Sequence, residues 1–237
     1  MQLSDFTLEI LENFININEG IVIYKDKREG NGTQIRTISA NHENPTTSTT
    51  MTAKVIVPEV FENDICISDL RQFSNVIKAT KNPDFNFEEN YVSIKGNNLT
   101  TNITYARPTE IIHEYEGYPK AKGATVQFTL SSEDMRTILK LCDTLQLQHL
   151  KVDVENGNVI VSAINKDNPD VKSSHINLGT TESTDEDIKS VLPLYFERSA
   201  FKLLPFDYEV TLCRGLGWFT NKENNLEYAI TSENVYE

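Results

Sequence analysis

No stretch of this 237-residue chain approaches the ~20 consecutive apolar residues of a membrane-spanning helix, so no membrane partner is expected. Cysteine is scarce and odd in number. Cys66, Cys142 and Cys213 lie far apart, which argues against a disulfide framework and for reduced thiols in a cytosolic setting. The sequons at Asn31, Asn98 and Asn102 are then chance occurrences. Met1–Asp5 shows neither a basic region followed by an apolar run nor an amphipathic transit pattern, so the chain is expected to stay where it is made. Basic charge is also in deficit, with 22 Lys and Arg against 35 Asp and Glu and a formal charge of -13. That balance excludes a protein that grips nucleic acid by bulk electrostatics, since phosphate neutralisation needs a Lys/Arg excess. It does not exclude one that holds DNA by topology, which needs only a locally basic lining.

Catalytic signatures are missing as well. His42, His113, His149 and His175 are scattered, without the His-x-x-x-His or Cys-x-x-Cys spacing of a metal site. There is no Gly-x-Ser-x-Gly and no glycine loop able to cradle a phosphate. Gly215-Leu216-Gly217 lacks the third glycine and the following helix of a dinucleotide fingerprint, and reads as a hairpin turn. The carboxylates are too numerous to nominate a catalytic pair. The expectation is a protein that is not an enzyme and uses no cofactor and no metal, with each histidine structural or merely exposed.

What is present is an ordinary globular composition, 38% hydrophobic and 24% charged, organised by a faint repeat. Ser4-Asp5 precedes Phe6, Ile10, Leu11 and Phe14 at helical spacing. Ser68-Asp69 precedes Leu70, Phe73, Val76 and Ile77, and Ser131-Ser132 precedes Met135, Ile138, Leu139 and Cys142. A fourth, weaker copy begins near Glu197, with Phe201 and Leu204 inward and Pro205 ending it. The starts recur at roughly 64 residues, enough for one supersecondary unit each.

Between the helices the period changes to two, as in Leu150, Val152, Val154 and Val159, Val161, Ala163 around Asn156-Gly157. Similar strand signals lie at Phe85–Phe87, Tyr91–Ile94, Leu99–Tyr105, Tyr208–Arg214, Trp218-Phe219 and Tyr228–Thr231. Each unit therefore reads as a strand, a helix, then two or three antiparallel strands. Gly30–Thr52 is polar and reads as a long hairpin excursion with a mobile tip at Asn41–Thr50. The acidic run Thr180–Asp187 reads as a solvated loop. Glu116–Gly123, with two glycines and a proline, reads as a connector, dividing the chain into domains 1–116 and 124–237 joined by 117–123. The fold class is α+β: two similar domains, each of two helix-plus-antiparallel-sheet units.

This plan is that of sliding clamps, and the chain resembles the clamps of T-even bacteriophages over nearly its whole length. The resemblance is carried by Leu3-Ser4, Asn13-Phe14, Ile17–Ile21, Ile67–Phe73, Leu147–Lys166 with Glu155-Asn156-Gly157, Leu178-Gly179 and Tyr208–Leu212. Gly30–Thr52 fits it poorly. No single motif is diagnostic; the ordered set is. The resemblance implies a DNA-clamp fold with twelve helices lining a closed ring, so a chain with four helices should assemble as a homotrimer. It further implies that the strand Leu99–Tyr105 of one subunit pairs with Lys172–Leu178 of the next, placing Thr101, Ile103, Tyr105, Ser174, Ile176 and Leu178 at the subunit interface.

Helices that face encircled duplex DNA should be basic on the side away from the core. The second helix carries Arg71 and Lys78, with Lys81 just beyond; the third carries Arg136 and Lys140; the fourth carries Arg198 and Lys202. The first fails, since Asp5, Glu9 and Glu12 form an acidic stripe with no lysine offsetting them. The resemblance implies as partners double-stranded DNA, a replicative DNA polymerase, a clamp-loader ATPase, and a late-transcription sigma factor with its coactivator, in the cytoplasm of an infected bacterial host. Such partners bring short hydrophobic peptides to a pocket near the connector, where Tyr118 and Pro119 are the candidates. The rival reading is an acidic β-rich virion or scaffold protein that binds other proteins and not DNA; it gives no reason for the basic helix faces.

Overall fold

Three of the four predicted helices form where capping residue and apolar spacing coincide. In the computed structural model, which describes residues 1–29, 32–39, 50–96, 98–111, 123–165 and 174–233, α1 runs Asp5–Phe14 and buries Ile10, Leu11 and Phe14. Ser4 caps it by accepting from the Thr7 amide. The strands β1 (Ile21–Glu29), β2 (Gly32–Ile38), β3 (Met51–Val57) and β4 (Ile65–Ile67) follow, then α2 (Leu70–Ala79), capped by Asp69. Next come β5 (Asp84–Phe87), β6 (Tyr91–Gly96), β7 (Leu99–Thr104), α3 (Pro108–Ile111) and β8 (Val126–Leu130). After α4 (Ser132–Leu145), capped by Ser131, come β9 (His149–Glu155), β10 (Asn158–Ile164), β11 (Ser174–Thr180) and α5 (Asp185–Val191). The chain ends with β12 (Leu194–Glu197), the 3₁₀ turn η1 (Arg198–Ala200), β13 (Tyr208–Cys213), β14 (Leu216–Asn221) and β15 (Leu226–Thr231).

The described residues fall into two compact units. One comprises those within 1–39, 52–111 and 224–226, the other those within 50–51, 123–223 and 227–233. In the first, one sheet has the order β4-β1-β2-β3 and a second the order β5-β6-β7. In the second unit the orders are β15-β14-β13-β8 and β11-β10-β9-β12. The strand that precedes each of α2, α4 and η1 thus joins the three-stranded meander of the other half of its unit. β4, ahead of α2, closes onto β1, while β12, ahead of η1, closes onto β9 and β8, ahead of α4, onto β13. Ahead of α1 there is no full strand, yet the Phe85 amide donates to the Met1 carbonyl at 2.8 Å, and the Met1 ammonium donates back to the Phe85 carbonyl at 2.6 Å. One residue pair therefore stands in for the missing strand ahead of α1.

The turn chemistry follows the residues. Asn156 and Gly157 both have positive φ, 51° and 79°, between Glu155 and Asn158, the mirror-image turn whose twist matches the flanking strands. The Gly215 turn joins β13 to β14, as the sequence indicates, with Cys213 opposite Leu216. The polar segment Gly30–Thr52 is in part regular strand: β2 pairs with β3 from Thr33↔Val57 to Ile38↔Thr52. Of the expected tip Asn41–Thr50, residues 41–49 lie outside the described residues.

Two expectations are corrected. The acidic run is not all loop, because Thr184 accepts from the Asp187 amide at 3.2 Å and donates its hydroxyl to the Asp187 carboxylate at 2.7 Å, starting α5. Three acids in the first turn of α5 also suit its dipole. The fourth helix is only the three-residue turn η1. Pro205 bars Leu204 from helical geometry, and the Leu204 carbonyl is instead taken by the Tyr208 hydroxyl at 2.7 Å. Arg198 and Lys202 consequently do not share a helix face.

Each unit has its own core. In the first, Ile10, Phe14, Ile21, Ile35, Ile67, Leu70, Phe73 and Phe85 are fully or almost fully buried. Glu59 enters this core as an anchor for α1, accepting from the Ser4 amide at 2.5 Å and the Thr7 hydroxyl at 2.6 Å. Glu59→Ala would leave both donors without their acceptor. It is expected to cost about 2 kcal/mol and to lower Tm by about 4–8 °C in a thermal melt followed by circular dichroism. In the second unit Phe201 packs edge-on against Phe196 and Phe219, beside the buried Tyr208 and Tyr228.

Candidate nucleic-acid interface and sheet edges

The two long-enough predicted basic faces are real faces. On α2, Leu70 and Phe73 point into the core and Val76 and Ile77 are half-buried, while Arg71 and Lys78, seven residues apart, are exposed on the other side. Lys81 is exposed just past the helix end. On α4, Met135, Ile138 and Cys142 are buried, and Arg136 and Lys140, four apart, are exposed. Among the described residues no ion pair forms at Arg71, Lys81, Arg136 or Lys140.

Lys78 and Arg198 are placed differently. Lys78 Nζ lies 2.9 Å from Glu12 Oε1 of α1, so the acidic stripe does have a lysine offsetting it, supplied by the neighbouring helix. Sequence spacing within α1 alone could not reveal this, because the partner is 66 residues away in sequence and adjacent only in the fold. Arg198 Nη2 donates to Asp143 Oδ2 at 3.0 Å, and its backbone amide donates to the Gln148 carbonyl at 2.7 Å. η1 is thereby fastened to the C-terminal end of α4. Lys202, beyond η1, is half-buried.

The strands β7 and β11 each stand at the edge of their sheet. Along β7, Thr101 and Ile103 are half-buried and alternate with exposed Thr100, Asn102 and Thr104, and Leu99 is 46% exposed. Along β11, Ser174, Ile176 and Leu178 are half-buried and alternate with exposed His175, Asn177 and Gly179. Tyr105, just past β7, turns its hydroxyl into a buried position without a partner, and burial, with Glu88 nearby, raises its pKa. Neither strand carries Lys, Glu, Asp, Arg or Pro, the residues by which soluble proteins usually blunt an unpaired edge. The proposed peptide-pocket residues Tyr118 and Pro119, and the start of the expected pairing strand at Lys172, lie outside the described residues.

The remaining reactive groups are quiet. Burial pushes the thiols of Cys66 and Cys142 up to about 11, with Asp64 and Glu110 adding to it at Cys66 and Arg198 opposing it at Cys142. Both thiols stay protonated near neutral pH and are not nucleophiles. His149 is buried with Nε2 3.3 Å from Glu233 Oε1, and His175 is exposed on β11; His42 and His113 lie outside the described residues. Among the described residues no three His, Cys, Asp or Glu side chains gather as metal ligands, and no helix is long and apolar enough to cross a membrane.

Comparison with known proteins places this geometry. No family model matches the chain. It is 25% identical over 239 residues to the sliding clamp of Vibrio phage KVP40, covering 98% of this chain and 99% of that one. It is 21% identical over 246 residues to the sliding clamp of Enterobacteria phage T4, covering the whole of both. Among solved structures, the PCNA of A. fulgidus, bound to the C-terminal region of FEN-1, superposes with a TM-score of 0.69 at 10% identity, covering 99% of this chain and 98% of that one. The H. pylori β clamp in complex with 5-chloroisatin gives a TM-score of 0.69 at 14% identity, covering 98% of this chain and 65% of that one. The fold is α+β, with antiparallel sheets, and is the DNA-clamp fold.

Proposed function

Because the resemblance to phage sliding clamps runs from end to end of both chains, we propose that this protein is itself a sliding clamp: a ring that encircles duplex DNA and tethers the replicative polymerase. It performs no chemistry. Retention is topological, and the lining needs only weak, sequence-blind phosphate contacts, which is compatible with an acidic protein. Arg71, Lys81, Arg136 and Lys140 supply these contacts, with Lys78, Arg198 and Lys202 in secondary roles. The domains 1–116 and 124–237, joined by 117–123, each contribute two of the repeated units to the ring.

The ring is a homotrimer closed head to tail, β7 of one subunit adding to β11 of the next. Support comes from the two uncharged edges, which a monomer would leave open to indiscriminate pairing. Thr101, Ile103 and Tyr105 face Ser174, Ile176 and Leu178 across this joint. The polymerase, the clamp-loader ATPase, and a late-transcription sigma factor with its coactivator dock through short peptides near Tyr118 and Pro119, in the cytoplasm of the infected host.

Light scattering of the purified chain at moderate salt is expected to give three times the 26.9 kDa chain mass. Retention on closed circular duplex, with release on linearisation, then tests encirclement. A monomer at every concentration would overturn the ring.

A further inference from the structure

In each unit a carboxylate in the last turn of the first helix holds a cation from a later helical segment, α2 in one and η1 in the other. In the first unit, Glu12 in the last turn of α1 takes Lys78 of α2 at 2.9 Å. In the second, Asp143 in the last turn of α4 takes Arg198 of η1 at 3.0 Å. The same relation recurs although the partners differ in type, Glu–Lys in one unit and Asp–Arg in the other. It also recurs although η1 has shrunk to a single turn.

The carboxylates are not there to steady their own helices. The C-terminal end of a helix carries partial negative charge, so an acid in the last turn is disfavoured, and neither α1 nor α4 has a basic residue in its last turn to offset it. Nor does the pair of the first unit add much to stability, since the side chains of Lys78 and Glu12 are 61% and 53% exposed and screening leaves such a pair little weight. In the second unit Asp143 is 63% exposed and Arg198 28%, so that this pair also fastens η1 to α4 while its carboxylate stays open to solvent.

What the carboxylates do change is how the cations meet an incoming anion. Resting on the reading of these faces as DNA-facing, we infer that Glu12 and Asp143 are built-in competitors of the DNA phosphates for Lys78 and Arg198. Each cation has a carboxylate to return to when a phosphate moves on, so leaving a phosphate does not leave it unpaired. Arg71, Lys81, Arg136 and Lys140 have no such competitor among the described residues and carry the contact. The device lowers the grip of the lining and evens the path along the duplex, which a protein held by topology can use and one held by affinity cannot. Glu12 and Asp143 are thus positioning residues that act through their cations.

The test is titration of the full-length protein with a short fluorescent linear duplex over a series of low salt concentrations. Glu12→Gln is expected to raise the association constant about three- to fivefold at low salt and to steepen its salt dependence by about one unit of slope per freed cation. Asp143→Asn should act in the same direction. Lys78→Gln should weaken binding, and Glu12→Gln combined with Lys78→Gln should match Lys78→Gln alone, because a competitor matters only while its cation is present. Glu186→Gln on α5, an exposed acid with no ion-pair partner among the described residues, makes the same charge change and should leave the slope unmoved.

A wild-type protein that binds, with Glu12→Gln indistinguishable from it or from Glu186→Gln, would overturn the inference and leave the clamp reading standing. Identical salt dependence for the wild type and for a variant with both Arg136 and Lys140 reversed would remove the DNA-facing assignment itself, and the inference with it.

Discussion

Ile176→Lys is expected to convert the ring to folded monomers and to abolish retention on circular DNA. Ile176 is half-buried on β11, a sheet edge without a charged residue to blunt it; in the ring proposed above its side chain would be covered by the neighbour's β7. An ammonium buried there without a counter-ion costs about 3 kcal/mol or more, which weakens each contact more than a hundredfold. Lysine is also one of the residues that protects edge strands from pairing, so the substitution supplies the blunting that the natural strand lacks. The stability of the monomer should change little, because Ile176 is not among the fully buried core residues. Light scattering reports the assembly state and a thermal melt reports the fold. An intact trimer carrying Ile176→Lys would place the interface elsewhere.

Reversing both Arg136 and Lys140 to glutamate is expected to leave the trimer intact and to lower duplex association by at least about tenfold at low salt, with a shallower salt dependence. The reason lies in α4. The two side chains are exposed, four residues apart, on the face away from Met135, Ile138 and Cys142, and among the described residues no ion pair occupies either. The change therefore replaces two positive charges per subunit by two negative ones without touching the core. Gel filtration checks assembly and the duplex titration checks binding. A broken trimer would mean that α4 supports an interface; unchanged binding with an intact trimer would take α4 out of the DNA path.

The sequence alone determined what is local. Ser4, Asp69 and Ser131 in front of apolar residues at helical spacing define α1, α2 and α4, because a cap and a stripe are satisfied by near neighbours in the chain. Asn156-Gly157 defines the β9–β10 hairpin for the same reason. The basic faces of α2 and α4 were legible too, since helical periodicity alone sets which residues oppose the core. α5 should have been legible from Thr184 and Asp187, a capping pair hidden in a run read only for its charge.

Tertiary structure alone decided the rest, because it depends on partners distant in the chain. η1 ends at Ala200, and a helix reaching Leu204 is barred by Pro205 and by the Tyr208 hydroxyl, which takes the Leu204 carbonyl. The acidic stripe of α1 meets its lysine only when α2 lies beside it. That β7 and β11 are edges follows from sheet order, which no periodicity within either strand encodes. Periodicity records which way a side chain faces; only the packed chain decides what it faces.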